Sequence, residues 1–119
     1  YEQRIFAAVR DMGAVGRLHI CGNTTHLLPD MLFSGAQIID LDWMVDLEQA
    51  DRVFGNQVAI CGNFDPVAVM LQGTPDSVSK SVHECLLLGG SRLFSGAGCE
   101  IPDKTPAENL LAQYQALCE

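Results

Sequence analysis

The chain has 119 residues, 48% of them hydrophobic, and a formal net charge of −8. This length and composition fit one globular domain with its own core. Its seven basic residues form no cluster that would neutralise phosphates, no apolar run approaches a membrane span, and no secretory leader is visible, so we expect neither nucleic acid nor membrane as a partner.

Short apolar runs alternate along the chain with longer helical patterns, which is typical of βα units and a parallel sheet. The sequence begins at Tyr1, inside a predicted helix, which indicates a processed or truncated piece. Helices are predicted over 1–12, 24–34, 46–54, 75–89 and 107–118, with one or two helical turns at 66–71. Strands are predicted over 16–21, 37–41, 57–61 and 91–95.

Several helix ends carry their own signals. Thr74 is a suitable N-cap with Pro75 at the first helical position, and Thr24 or Thr25 can cap the second helix. The run Thr105-Pro106-Ala107-Glu108 reads as a capping box that starts the last helix. Four βα units are half of an eightfold barrel, which needs about 250 residues. We therefore expect a missing half, supplied by preceding sequence, a second copy or another chain.

The tetrapeptide ICGN occurs at residues 20–23 and again at 60–63, each time at a predicted strand end. Carboxyl ends of parallel strands form the functional face of such a sheet. His19 and Cys21 alternate onto one side of the first strand, and Cys99 follows the fourth strand. One imidazole and two thiolates suit zinc, and the carboxylate of Asp42 is a candidate for a displaceable fourth ligand.

The other polar and sulfur-containing residues have simpler interpretations. The odd count of five cysteines does not fit a disulfide framework and favours reduced thiols in the cytoplasm. We expect Cys61 and Cys85 to be packed in the core, and Cys118 has no assigned role. We expect His26 and His83 to lie on helices as surface or packing residues, and Asn63, Asp65 and Pro66 to shape a turn.

Three segments resemble the second half of the uroporphyrinogen decarboxylase superfamily: DLDWMV at 40–45, CGNFDP at 61–66 and IPDKTPAENL at 101–110. The resemblance covers essentially the whole chain. It implies an α/β fold in which residues 1–119 form the C-terminal half of a (β/α)8 TIM barrel. It also implies a site at the carboxyl ends of the strands.

Within that superfamily, the residues resemble the methylcobamide:thiol methyltransferases, typified by the coenzyme M enzymes. His19, Cys21 and Cys99 match their His-x-Cys and their later Cys. Asp42 falls where the family usually shows Glu. The resemblance implies Zn²⁺ as cofactor, catalysis assisted by displacement of Asp42, and a small thiol such as coenzyme M or homocysteine as acceptor. The methyl donor would be a methylcobamide carried by a separate corrinoid protein.

Two alternatives remain open on the sequence. The true decarboxylases of the superfamily have Gly-His-Gly after the last strand, whereas residues 96–99 here are Gly-Ala-Gly-Cys, without the histidine. Basic groups that would clamp a tetrapyrrole's carboxylates would lie mostly in the missing half, so a decarboxylase-like carboxy-lyase is the first alternative. A non-catalytic half-barrel fragment is the second.

Overall fold

The computed structural model describes residues 1–118 and shows one four-stranded sheet with its helices. The strands are β1 (Arg17–Ile20), β2 (Ile38–Leu41), β3 (Ala59–Phe64) and β4 (Leu93–Ala97). The α-helices are α1 (Glu2–Asp11), α2 (Leu28–Phe33), α3 (Leu47–Phe54), α4 (Pro75–Leu88) and α5 (Ala107–Ala116). Short 3-10 turns occupy Thr25–Leu27 and Gly90–Arg92, and a π-helical segment occupies Pro66–Leu71.

All neighbouring strands are parallel and follow the order β1-β2-β3-β4. One row across the sheet joins His19, Asp40, Cys61 and Phe94, which therefore project from the same side. The adjacent row joins Leu18 to Ile39 and Ile60, which are fully buried, and to the partly buried Leu93. The sheet thus has a helix-covered side and a second side that carries His19.

The helix-covered side holds the hydrophobic core. Apolar residues of the strands interdigitate there with the inner faces of α2, α3, α4 and α5, as expected for a parallel sheet whose crossovers are helical. The largest apolar side chains with essentially no exposed surface are Leu28, Ile39, Leu41, Phe54, Ile60, Met70, Val78 and Val82. This core fixes the strands, and the strands fix the residues at their carboxyl ends.

β1 and β2 differ from their predicted bounds by at most one residue at either end, and β3 and β4 differ by more. Asn63, predicted to shape a turn after the third strand, lies within β3 together with Gly62, because Gly62 pairs with Ser95 and Asn63 with Gly96 of β4. The second ICGN segment is therefore mostly strand, whereas the first passes into a loop after Ile20. β4 begins two residues later than predicted because the 3-10 turn at Gly90–Arg92 takes up its expected start.

The predicted helix caps had mixed outcomes. Thr74 caps α4, and its hydroxyl accepts a hydrogen bond from the Ser77 amide at 3.3 Å. The capping box predicted at Thr105 is wrong. Pro106 is the N-cap of α5, and the Thr105 hydroxyl instead donates to the Pro102 carbonyl at 2.9 Å within a preceding turn.

The second helix also differs from the prediction. Neither Thr24 nor Thr25 forms a side-chain cap, and a 3-10 turn precedes the six residues of α2. Among the residues that the structure describes, no helix combines the length and apolar character needed to cross a bilayer.

Candidate metal centre

The structure brings together three of the four predicted metal ligands. His19 is in β1, Cys21 follows that strand directly, and Cys99 follows β4. Sγ of Cys21 lies 3.3 Å from Nε2 of His19 and 3.7 Å from Sγ of Cys99. One ligand atom from each residue lies within 4.8 Å of those of the other two. Residues at the carboxyl ends of the two outer strands, β1 and β4, thus form one cluster.

The spacing of these atoms can be compared with that of a tetrahedral zinc site. Zn–N bonds of about 2.05 Å and Zn–S bonds of about 2.3 Å place a nitrogen and a sulfur about 3.6 Å apart, and two sulfurs about 3.8 Å apart. The distances to Cys21, 3.3 Å and 3.7 Å, are within a few tenths of an ångström of those values. The donor set therefore fits Zn²⁺ in both chemistry and size, and three protein ligands leave one position open.

The structure does not bring the Asp42 carboxylate into this cluster. Asp42 is buried, and each of its oxygens already accepts a backbone hydrogen bond. Oδ2 accepts from the Gly22 amide at 2.7 Å, and Oδ1 accepts from the Met44 amide at 2.9 Å. Asp42 therefore ties the loop that carries Cys21 to the loop after β2. In this arrangement Asp42 lies outside the three-ligand group and holds the loop that carries Cys21.

Two further residues brace the loop after β2. Asn63 is buried, and its side-chain amide donates to the carbonyls of Asp42 at 3.1 Å and Val45 at 2.6 Å. Gly98 packs directly on this loop, and a β-carbon at Gly98 would lie 2.6 Å from Cα of Trp43. Gly98, next to Cys99, thus contacts Trp43, next to Asp42. This contact couples the position of Cys99 to that of the loop after β2.

Asp65 has a local role in the same region. Its Oδ1 accepts from the amides of Val67 at 2.8 Å and Ala68 at 3.0 Å, so it caps the π-helical segment that follows β3. This agrees with the expectation that Asp65 shapes the chain after the third strand, whereas the same expectation for Asn63 is wrong, because Asn63 lies within β3 and its side chain binds the loop after β2. Neither residue belongs to the three-ligand group.

An ion pair between Arg17 and Asp40 lies beside the cluster. Arg17 was not among the residues predicted for the site. Arg17 donates from Nη2 to Oδ2 of Asp40 at 2.6 Å and from Nε at 3.1 Å. This hydrogen bond raises the pKa of the Arg17 guanidinium. Nδ1 of His19 lies 3.2 Å from the same carboxylate oxygen. The alternation of side chains along β1 places Arg17 and His19 on one face, and that signal was available from the sequence.

The neighbouring Cys99 affects the ionisation of the Cys21 thiol. The hydrogen bond with Cys99 and then the charge of Cys99 raise the pKa of the exposed Cys21 thiol. Two thiolates this close repel one another unless a cation lies between them. The arrangement therefore favours a protonated Cys21 thiol in the metal-free protein, which would lose its proton when a metal binds.

The remaining cysteines lie elsewhere. Cys85 is in the core, as expected. Cys61 is buried as well, but it lies on the His19 side of the sheet, outside the hydrophobic cluster; burial and then the charge of Asp40 raise its pKa to about 11. Cys118 is exposed. His26 is an exposed residue of the first 3-10 turn, and His83 is partly buried on α4.

Both the sequence and the fold are similar to those of known proteins. The family described as uroporphyrinogen decarboxylase (URO-D) matches residues 1–119. A methylcobamide:CoM methyltransferase, MtbA, from Methanosarcina mazei is 38% identical over 110 residues, which are 92% of this chain and 32% of that protein. A uroporphyrinogen decarboxylase from Carboxydothermus hydrogenoformans is 31% identical over 117 residues, 96% of this chain and 32% of that protein.

Among solved structures, a methyltransferase from Methanosarcina mazei superposes with a TM-score of 0.86 and 28% sequence identity, covering 97% of this chain and 33% of that chain. The four parallel strands thus match part of a TIM barrel. The chain spans about a third of the length of the curated relatives it matches.

Proposed function

This chain belongs to the uroporphyrinogen decarboxylase family, and on that premise we propose that it contributes the metal centre of a zinc-dependent methyltransferase. The methyl group would pass from a methylated corrinoid to a small thiol such as coenzyme M. The observation that carries the proposal is the convergence of His19, Cys21 and Cys99 within 4.8 Å of one another. MtbA of Methanosarcina mazei, a methylcobamide:CoM methyltransferase by name, supports the choice of reaction.

Each residue of the site has a part in this proposal. His19, Cys21 and Cys99 are the three protein ligands, and the open fourth position admits the acceptor thiol. Bound zinc would supply Lewis acidity that lowers the pKa of that thiol, so that the nucleophile is present near neutral pH. Asp42, expected from the sequence to be a displaceable ligand, is assigned here to holding the Cys21 loop through the Gly22 amide.

The rest of the barrel is part of the proposal. Among the described residues, β1 and β4 have one strand neighbour each. The matched relatives are about three times as long as this chain. We take the remaining βα units to come from the same chain or a second one and to bind much of the corrinoid protein. The free thiols are consistent with a cytoplasmic setting.

Metal content tests the proposal directly. The protein that carries this sequence, purified without chelators, should contain about one zinc per chain by elemental analysis. His19→Ala and Cys99→Ser should lose it, whereas Cys118→Ser, at an exposed cysteine outside the cluster, should retain it. A zinc-free wild-type protein would overturn the assignment of the site.

Activity tests the reaction. Methylcobalamin should be demethylated when a panel of thiols is offered, and chelation of the metal should abolish the reaction until zinc is restored. Demethylation that is equally fast in Cys99→Ser would contradict the proposed role of the site.

Decarboxylation is the second candidate, because uroporphyrinogen decarboxylases are also among the relatives, at up to 96% coverage of this chain. Zinc content separates the two proposals, since the cofactor-free cleft expected of a decarboxylase needs no thiolate cluster. Consumption of uroporphyrinogen by the protein, unaffected by His19→Ala, would favour decarboxylation.

A further inference from the structure

We propose that Asp40, braced by Arg17, is a positioning residue that fixes the ring orientation and the proton of His19, so that Nε2 is the nitrogen that binds the metal. This inference rests on the proposed function and extends it to a carboxylate that is not itself a ligand. It assigns a role to the ion pair between the exposed Arg17 and the buried Asp40, which the three-ligand cluster leaves unexplained.

The proton on His19 can be placed from the groups around its ring. Nδ1 lies 3.1 Å from the backbone oxygen of Asp40 and 3.2 Å from its Oδ2. A carbonyl oxygen and a carboxylate oxygen only accept hydrogen bonds, so Nδ1 must be the donor in a neutral ring. The proton therefore resides on Nδ1, and Nε2 presents its lone pair toward Sγ of Cys21, 3.3 Å away.

Arg17 holds the carboxylate in this position. Its two nitrogens converge on Oδ2, the same oxygen that faces the imidazole, at 2.6 Å and 3.1 Å. Rotation of the Asp40 side chain away from His19 would break both of these hydrogen bonds. The direct pairing of His19 with Asp40 in the register of β1 and β2 places the two residues side by side. The contact is therefore built into the sheet and does not depend on the loops.

The burial of Asp40 indicates that the pair does more than join two strands. Asp40 is only 7% exposed, and its Oδ1 has no hydrogen-bond partner among the described residues. A carboxylate is an expensive group to bury, and an apolar pair would join β1 to β2 without that cost. Hydrogen bonds from outer groups to ligating histidines commonly set the tautomer and strengthen metal binding. Asp42 cannot serve this purpose, because its oxygens are bound by Gly22 and Met44.

Two measurements on the intact protein test the inference, with Asp40→Asn as the main variant because it keeps the side-chain shape. The zinc dissociation constant, measured by competition with a chromophoric chelator, should rise 10- to 100-fold. In the metal-free protein, long-range ¹H–¹⁵N NMR of the His19 ring should show the Nδ1–H tautomer in the wild type. In Asp40→Asn, the Nε2–H tautomer should gain population, because the neutral amide oxygen that Arg17 holds there accepts the Nδ1 proton more weakly than the carboxylate does.

Two further variants separate positioning from folding. Arg17→Met should shift both readouts in the same direction by a smaller factor, and Arg17→Lys should restore part of the effect. Asn109→Ala, at a buried residue whose side chain binds Met70 and Gly73, should lower stability without moving either readout. Unchanged zinc affinity and tautomer in Asp40→Asn would overturn the inference, as would an Nε2–H wild-type ring. A wild type that binds no zinc would instead overturn the proposed function, and the tautomer measurement on that protein would still decide the role of Asp40.

Discussion

The Gly22 amide donates a 2.7 Å hydrogen bond to Oδ2 of Asp42. Gly22 follows Cys21, and Asp42 follows β2, so this one bond joins the loops at the ends of two neighbouring strands. The second oxygen of Asp42 closes the turn that begins its own loop by accepting from Met44. A buried carboxylate that accepts two backbone amides is a rigid support, and it sets where the peptide after Cys21 can lie.

Replacement of Asp42 by Asn tests this support. The variant keeps the shape but leaves only one acceptor oxygen for two amides, so one of these two partly buried hydrogen bonds is lost. We expect the free energy of unfolding to fall by about 1–3 kcal/mol and zinc affinity to fall with it, as measured by denaturation and by chelator competition. At saturating Co²⁺, the absorption spectrum should match that of the wild type, because the ligands are unchanged.

Asp46→Asn is the matched control for that experiment. Asp46 is an exposed carboxylate that caps α3 by accepting from the Gln49 amide at 2.8 Å, and the asparagine retains an acceptor there. Its zinc affinity should equal that of the wild type. A cobalt spectrum of Asp42→Asn that reports a changed ligand set would show that Asp42 coordinates the metal.

Gly98 should be intolerant of even one methyl group. A β-carbon there would overlap the backbone of Trp43, which cannot move without shifting Asp42. We expect Gly98→Ala to lower stability by about 1–3 kcal/mol and to displace Cys99, so that zinc binds more weakly. At Gly96, within β4, a β-carbon would meet the Cys61 sulfur at 3.2 Å, so Gly96→Ala should cost less. Equal zinc affinities in the two variants would contradict the coupling of Cys99 to the loop after β2.

Much of the fold was predictable, because hydrophobic patterning along the chain determines it. The alternation of apolar runs and helices indicated four parallel strands, and Asp46 and Thr74 begin α3 and α4 where capping chemistry favours it. The errors arose where tertiary contacts override local signals. Gly62 and Asn63 carry turn propensity, yet the ladder to β4 holds them in a strand.

The site was predictable to the extent that side-chain direction follows strand periodicity. The spacing of His19 and Cys21 placed both on one face, and Cys99 followed from the position of the fourth strand. The contacts of Asp42 were not predictable, because its partner, the Gly22 amide, lies 20 residues away in a loop of irregular conformation. No pattern in the sequence distinguishes a carboxylate that binds metal from one that binds backbone amides.

Because the Cys61 thiol is held protonated by the fold, the protein should become less stable at alkaline pH. Burial and then the charge of Asp40 raise the pKa of its thiol to about 11, whereas an unfolded thiol ionises near 8.5. Between these values the unfolded chain binds fewer protons than the folded one, so stability contributed by this group is complete below about pH 8.5 and is lost as the pH rises toward 11. The loss from this thiol is at most about 3.4 kcal/mol.

The test compares metal-free wild type with Cys61→Ala at pH 8 and pH 10.5. The free energy of unfolding of the wild type should fall more over this interval, because the alanine variant lacks the thiol. Cys118→Ala, which removes an exposed cysteine, should follow the wild type. The same pH dependence in wild type and Cys61→Ala would show that the Cys61 thiol is not held protonated by the fold.

Substitutions of Asn109 should change the stability of the protein but not its zinc binding. It is fully buried in α5, and its side-chain amide donates to the carbonyls of Met70 at 2.9 Å and Gly73 at 3.0 Å, which lie in and just after the π-helical segment. Asn109→Ala leaves both carbonyls unpaired and should lower the free energy of unfolding by about 2–3 kcal/mol. Asn109→Asp should cost more, because a buried carboxylate would face two carbonyl oxygens. Thermal denaturation ranks the variants, and a milder effect for Asp than for Ala would mean that Asn109 does not act through its donor group.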